Sequence, residues 1–262
     1  MSREPGDPVE DRDEEAIHPA GGAITVDRVD VRLGGRSVLR DLSFAVERGE
    51  TLVLLGRSGS GKSTTLKLAN ALLLPDSGEV LIEGRSTREW DPIQLRRGIG
   101  YVLQDVGLFP HFSVHRNVAL VPRLLGWSVD RIERRVAEML ELVGLGEGFS
   151  DRRPTELSGG ERQRVGIARA LAAGPGFLLC DEPFGALDPV TRFDLQREFK
   201  ELRERVPTTV LFVTHDVREA LFLADRIGYL VEGSLGFLGT PHDFLRSEDA
   251  VVARFRDAGV WL

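Results

Sequence analysis

The sequence is poor in the features that would mark an exported or membrane-spanning chain. Its single cysteine, Cys180, excludes an intramolecular disulfide, and its place in the apolar run FLLCDEP marks it as a small buried filler. That usage points to a reducing compartment. No apolar run approaches the roughly 18 residues that a membrane span needs, so the chain is not expected to cross a bilayer itself. The start of the chain lacks the basic opening and apolar stretch of a secretory signal.

A single sign of charge is in excess, but locally. The net charge is -7, and residues 1–20 hold seven acids against two bases, or -5, which leaves -7 minus -5, or -2, for the remainder. A near-neutral body without a lysine-rich stripe offers no electrostatic footprint for nucleic acid, which is therefore not expected as a partner. With three prolines and almost no apolar residues in its first 20 positions, the segment 1–22 is predicted to be a disordered acidic tail. The remainder is ordinary for a soluble globular protein, at 42% hydrophobic and 29% charged residues overall. A length of 262 residues is long for one domain and short for two, so one large α/β unit with an inserted or appended subdomain is expected.

From Ile24 onward, short runs of β character are broken by glycine and acidic turns: ITVDRVDVRL, DLSFAV, TLVLLG and EVLIEG. The first two alternate enough to be half-exposed strands, whereas TLVLLG is apolar enough to be buried on both faces. Between about residues 113 and 173 the pattern is helical. In DRIERRVAEMLELVGL, Ile132, Val136, Met139, Leu140 and Val143 share one stripe, with Asp130 and Glu133 spaced as a capping box and Gly144 as the stop. Alternation then resumes: FLLCD, a helix from Pro189 to about Val206, TVLFVT, a helix after His215, and RIGYLV. A helical block thus interrupts an α/β core.

Chemistry concentrates where strands end. GRSGSGKST, Gly56, Arg57, Ser58, Gly59, Ser60, Gly61, Lys62, Ser63 and Thr64, follows a buried strand and precedes a helix, the context that G-x-x-x-x-G-K-[ST] requires. Glycines let the backbone curl until successive N–H groups face one concavity, and the helix N-terminus adds to that anion site. Lys62 would reach the β and γ phosphates, and Ser63 would coordinate Mg²⁺. FLLCDEP ends in Asp181, a candidate Mg²⁺ holder, and Glu182, a candidate polariser of the attacking water. TVLFVTH delivers His215 to the same edge. LSGGERQR, residues 157–164, reads as a capped helix start, which leaves its two consecutive glycines without a packing demand evident in the sequence.

In this order the motifs resemble those of the nucleotide-binding subunits of ATP-binding cassette (ABC) transporters, over about residues 24–250. GRSGSGKST resembles the family's P-loop, Gln104 in YVLQD its Q-loop glutamine, LSGGERQR its signature, FLLCDEP its Walker B strand with catalytic glutamate, GALD its D-loop with Asp188, and VTHD its switch histidine. The resemblance implies a P-loop NTPase core with a mixed or antiparallel β subdomain and an inserted helical subdomain at about 105–170. The cassette would span 23–250, with 251–262 as a C-terminal tail. It implies ATP and Mg²⁺ as ligands, with Gln104, Ser63 and Asp181 around the metal and Glu182, His215 and Gln104 in catalysis. It also implies a head-to-tail dimer of identical subunits, in which Ser158, Gly159, Gly160 and Glu161 of one subunit face the ATP on the other.

Two positions depart from the pattern. Leu33 falls where the family carries an aromatic ring against adenine, and Glu161 stands where glutamine is frequent. Within the family, GLFPHFSVHRNVALVPRLLGW is most similar to importers of quaternary ammonium solutes such as glycine betaine, choline and carnitine. That implies a transmembrane permease as the direct partner, a substrate-binding protein as an indirect one, and a peripheral position on the cytoplasmic face of the inner or plasma membrane. Gly107 to Val121 is the expected coupling surface. Many relatives of this group carry paired cystathionine-β-synthase-like domains after the cassette; the sequence stops at Leu262, so osmotic gating by such domains is not expected. The alternatives are another importer, exporter or lipid-transport cassette, a soluble ABC ATPase acting on DNA or ribosomes, and a P-loop kinase, which would leave LSGGERQR unemployed.

Overall fold

A computed structural model describes residues 24–260; the acidic segment 1–22 lies outside the described residues. Strands β1 (Ile24–Leu33) and β2 (Arg36–Val46) form an antiparallel hairpin. The second strand begins earlier than DLSFAV because the Gly34–Gly35 turn sets Arg36 directly opposite Leu33. β3 (Thr51–Gly56) leads through the glycine-rich loop into α1 (Lys62–Ala69). β4 (Ser77–Ile82) pairs with β1 and with the short β5 (Arg85–Ser86). EVLIEG does not remain extended to its end: Glu83 and Gly84 take φ of 59° and 72°, which turns the chain. α2 (Pro92–Arg97), capped by Asp91, precedes β6 (Ile99–Val102).

The helical block holds α3 (Val114–Val118), α4 (Leu120–Leu124), α5 (Val129–Leu142) and α6 (Gly159–Leu171). The five-residue stripe on α5 is buried as its spacing predicts, and Gly144 ends the helix at φ 69°. The expected capping box is not formed. The helix starts before Asp130, with Ser128 in the cap position, and Glu133 accepts or shares a 2.8 Å hydrogen bond with His115 Nε2 instead. β7 (Phe177–Asp181), α7 (Pro189–Arg205), β8 (Thr209–Thr214), α8 (Val217–Leu223), β9 (Arg226–Val231) and β10 (Ser234–Gly239) complete the core. α9 (Pro241–Arg246) and α10 (Ala250–Val260) follow. The last helix is packed rather than trailing: Val252 is buried, and the Phe255 ring lies 4.8 Å from that of Tyr229.

Two sheets result. The small one runs β2-β1-β4-β5, and the large one β10-β9-β3-β8-β7-β6, with β9, β3, β8, β7 and β6 parallel. A parallel sheet covered on both faces needs strands apolar throughout, and β3 and β8 are buried at every position. Alternate residues of β3 serve different cores. Leu52 and Leu54 join the small sheet and α1, whereas Val53 and Leu55 join the cluster that includes α3, α5, α6 and α7. Since β3, β7 and β8 run side by side in one direction, their carboxyl ends lie on one edge. Among the described residues, no helix is long and apolar enough to cross a membrane.

Candidate active site at the ends of three strands

After β3 the backbone curls through Gly59 (φ 81°) and Gly61 (φ 105°), conformations in which a side chain would be strained. Lys62 folds back over that curl. Its Nζ donates to the carbonyls of Gly56 at 2.8 Å and Arg57 at 3.1 Å and lies 3.6 Å from Glu182 Oε1. Burial pushes the Lys62 ammonium below its usual range, and the Glu182 carboxylate opposes that shift. Ser60 Oγ is buried with no hydrogen-bond partner, while Arg57, Ser58 and Gly59 are exposed at the loop's outer side. Thr64 is half-buried in the first turn of α1.

The end of β7 answers this loop. Ser63 Oγ donates to Asp181 Oδ1 at 2.8 Å, and Tyr101 on the neighbouring β6 donates to Asp181 Oδ2 at 3.4 Å. Burial, together with that carboxylate, raises the Tyr101 phenol above its ordinary range, so it stays a donor. A hydroxyl and a carboxylate side by side form an oxygen donor pair of the kind Mg²⁺ prefers. Among the described residues no group of three or more His, Cys, Asp or Glu could hold a metal alone. The donors therefore fit an ion that arrives with phosphates, and the loop's unpaired Ser60 hydroxyl and buried Lys62 fit the phosphates themselves.

Glu182 adopts φ 43°, a left-handed conformation that costs a non-glycine residue about 1–3 kcal/mol. The surroundings hold it there: its N–H donates to Val213 O at 3.0 Å, and its carbonyl accepts from Gly185 N at 3.1 Å. Its side chain, 16% exposed, meets His215 Nδ1 at 2.8 Å, and His215 is 55% exposed at the end of β8. Behind the loop, Phe184 is buried against Phe199 and Phe212, each ring 6.0 Å away. Gln104 is exposed, on the same side as the Glu182 loop: a methyl added at Gly185 would lie 3.9 Å from its Nε2.

The segment after Gln104 is gripped by α6. Arg169 donates to the carbonyls of Val106 at 2.6 Å and Gly107 at 2.7 Å, and Val106 holds φ 57° against Gly166. At the other end of α6, Ser158 is the N-cap. Its Oγ accepts from Glu161 N at 3.2 Å and its N–H donates to Glu161 Oε2 at 2.7 Å. The capped-helix reading of LSGGERQR is therefore realised, and Glu161 is occupied as half of that box. Gly160 also has a packing role that the sequence hides, since a methyl there would lie 2.8 Å from Thr191 Cγ2 on α7. Among the described residues no hydrogen bond joins Ser158, Gly159 or Gly160 to the loop 56–64. Gly159 borders instead a groove of about 180 Å³ shared with Gln104, Pro183 and Leu187.

Asp188 caps α7, accepting from Val190 N and Thr191 N at 3.1 Å, and the Thr191 bonds hold its carboxyl below the usual range. Leu33 is 45% exposed at the hairpin end of β1. In the expected coupling segment, Val114 is fully buried, whereas Phe109, His111 and Phe112 stack on one another at 4.4–6.1 Å near the surface. Sequence reasoning missed Tyr101, Arg169, Arg192, Gln196 and Glu219. The only trace of the last three is spacing: positions 192 and 196 share a face of α7, and 219 sits in the first turn after His215.

The profile of the ABC transporter family matches residues 39–185. The glycine betaine/carnitine/choline transport ATP-binding protein of Bacillus subtilis is 48% identical over 214 residues, covering 82% of this chain and 56% of that relative. The glycine betaine uptake system ATP-binding protein of Escherichia coli is 48% identical over 208 residues, 79% of this chain and 68% of the relative. The chain thus spans little more than half the length of the first of these. A solved dimeric ATP-binding cassette, described as a post-hydrolysis state bound to ADP and Pi, superimposes with a TM-score of 0.73 at 34% identity, over 83% of this chain and 98% of the other. The motif order, the strand-end cluster and these matches agree: the chain belongs to the ABC transporter family and has the fold of its ATP-binding cassettes.

Proposed function

We propose that this chain hydrolyses ATP as the nucleotide-binding subunit of an importer, working as a dimer against a separate transmembrane permease. The observation that carries the reading is the meeting of Lys62, Ser63, Asp181, Glu182 and His215 across the ends of β3, β7 and β8, with side-chain contacts of 2.8–3.6 Å. Lys62 and the N–H groups of the glycine loop would hold the phosphates, and Ser63 and Asp181, together with Gln104, would hold Mg²⁺. Bound Mg²⁺ supplies positive charge to the phosphate oxygens. Glu182 accepts the proton of the attacking water, and His215, hydrogen-bonded to it, fixes the direction of the carboxylate.

Ser158, Gly159 and Gly160 make no hydrogen bond to their own P-loop, which supports their serving the nucleotide on a second subunit. A quaternary ammonium solute is the substrate we favour, on the likeness of residues 107–127 and the names of the relatives; the choice itself would lie with the permease and a substrate-binding protein. The stacked Phe109, His111 and Phe112 support a coupling contact with the permease at this surface, and the reading includes a position on the cytoplasmic face of the membrane.

The test is a pair of variants. Glu182→Gln should bind ATP as wild type does and lose about 10²–10⁴-fold in turnover, while accumulating as an ATP-bound dimer in size-exclusion chromatography. Ser158→Arg should also abolish hydrolysis but leave nucleotide binding to the isolated subunit unchanged. Wild-type turnover in the first, or activity per subunit independent of protein concentration, would remove the corresponding assignment.

A further inference from the structure

Behind Glu182 a closed circuit of contacts returns to the same residue. The Glu182 carbonyl accepts from Gly185 N at 3.1 Å. The Gly185 carbonyl accepts from Arg192 Nη2 at 3.2 Å, and the same nitrogen reaches Leu187 O at 3.2 Å. Arg192 Nη1 lies 3.6 Å from Asp216 Oδ2, Asp216 follows His215 in the chain, and His215 Nδ1 closes the circuit on Glu182 Oε2 at 2.8 Å. One turn along α7, Gln196 Nε2 donates to the buried Glu219 Oε1 at 2.9 Å, so two side chains of that helix reach the His215 segment.

We infer that Arg192 is a positioning residue for the proposed hydrolysis: its guanidinium spans the loops after β7 and β8, and so fixes the backbone and the carboxylate of Glu182 together. Either loop alone leaves one end of Glu182 free. The left-handed backbone at Glu182 is not one its own side chain favours, so something outside the residue must hold it. The exposed segment Gly185–Ala186 and Asp188 hangs from the same guanidinium, so pressure on that segment by a second subunit is passed to the His215 side. A planar fork is needed for this, because one head must meet two carbonyls and a carboxylate in different directions; a lysine ammonium keeps the charge but not the fork.

The inference rests on the ATPase reading, so its test includes a readout that does not. Arg192→Lys and Asp216→Asn are compared with wild type in the full chain; asparagine retains an oxygen for the Arg218 and Glu219 N–H groups that Asp216 caps. Each variant is expected to lower kcat by about tenfold or more with the ATP dissociation constant unchanged within twofold, and the double variant to lose little beyond the worse single one. The imidazole resonances of His215 in the nucleotide-free protein are expected to move in both variants. Unchanged kcat in a folded Arg192→Lys protein, or a fall in kcat matched by an equal loss of ATP affinity, would overturn the role. If wild type hydrolyses no ATP, the enzymatic reading fails on its own, and the His215 resonances decide the circuit: displaced, it stands; unmoved in both variants, it falls.

Discussion

Replacing Glu219 with glutamine should stabilise the protein at alkaline pH and leave it unchanged in acid. Glu219 is 4% exposed, and burial raises its pKa from 4.5 to about 7, with hydrogen bonds to Thr214 and Gln196 acting against the rise. The folded state therefore binds this proton more tightly than the unfolded chain does. The stability it contributes is fully present below about pH 4.5 and is lost as pH rises through about 7. The shift, 7 minus 4.5, is about 2.5 units, which at 1.36 kcal/mol per unit amounts to about 3 kcal/mol. Glutamine keeps the shape, accepts from the Gln196 amide and never ionises. All other titrating groups are shared by the two proteins and cancel in their difference. Urea unfolding followed by tryptophan fluorescence should give equal stabilities near pH 4.5 and a variant more stable by about 3 kcal/mol at pH 8, or roughly 6–12 °C in Tm for a chain of this size. An offset that is the same at both pH values, or a variant weaker at pH 8, would refute the reasoning.

Two further outcomes concern the nucleotide and the permease. Leu33→Tyr should raise the preference for ATP over GTP in competition binding by no more than about tenfold, since a stacked ring contributes about 0.5–1.5 kcal/mol; a strong preference in wild type would show that another group already reads the base. Phe112→Asp should leave a folded protein with ATPase activity in isolation and no transport when reconstituted with its permease, because a charge in the stacked ring patch opposes docking. An insoluble variant, or normal transport, would remove that surface from consideration.

The strand-end chemistry was legible because each part is local: the glycine spacing before Lys62, the apolar run before Asp181 and the one before His215 each announce a strand and its terminus. What brings them together is the order of β3, β8 and β7 in one sheet, which no single segment encodes. Local pattern failed where a partner distant in sequence took over. Glu133 has the spacing of a capping residue after Asp130, yet it pairs with His115 from another helix. The two glycines after Ser158 looked free of packing demands until α7 brought Thr191 against Gly160. Arg192 and Glu219 carry no motif at all, and their meaning depends on two helices crossing behind one loop.

The grip of Arg169 on Val106 and Gly107 falls on carbonyl oxygens, and carbonyls are the same whichever side chains accompany them. A hold of this kind does not read sequence. The loop that carries Gln104 can therefore stay tied to α6 while the side chains that follow it, from Leu108 to Phe112, are exchanged one for another. Under the proposed coupling role, attachment to the nucleotide and fit to a particular membrane partner would then be separable, for evolution and for anyone who would graft this cassette onto a different transporter.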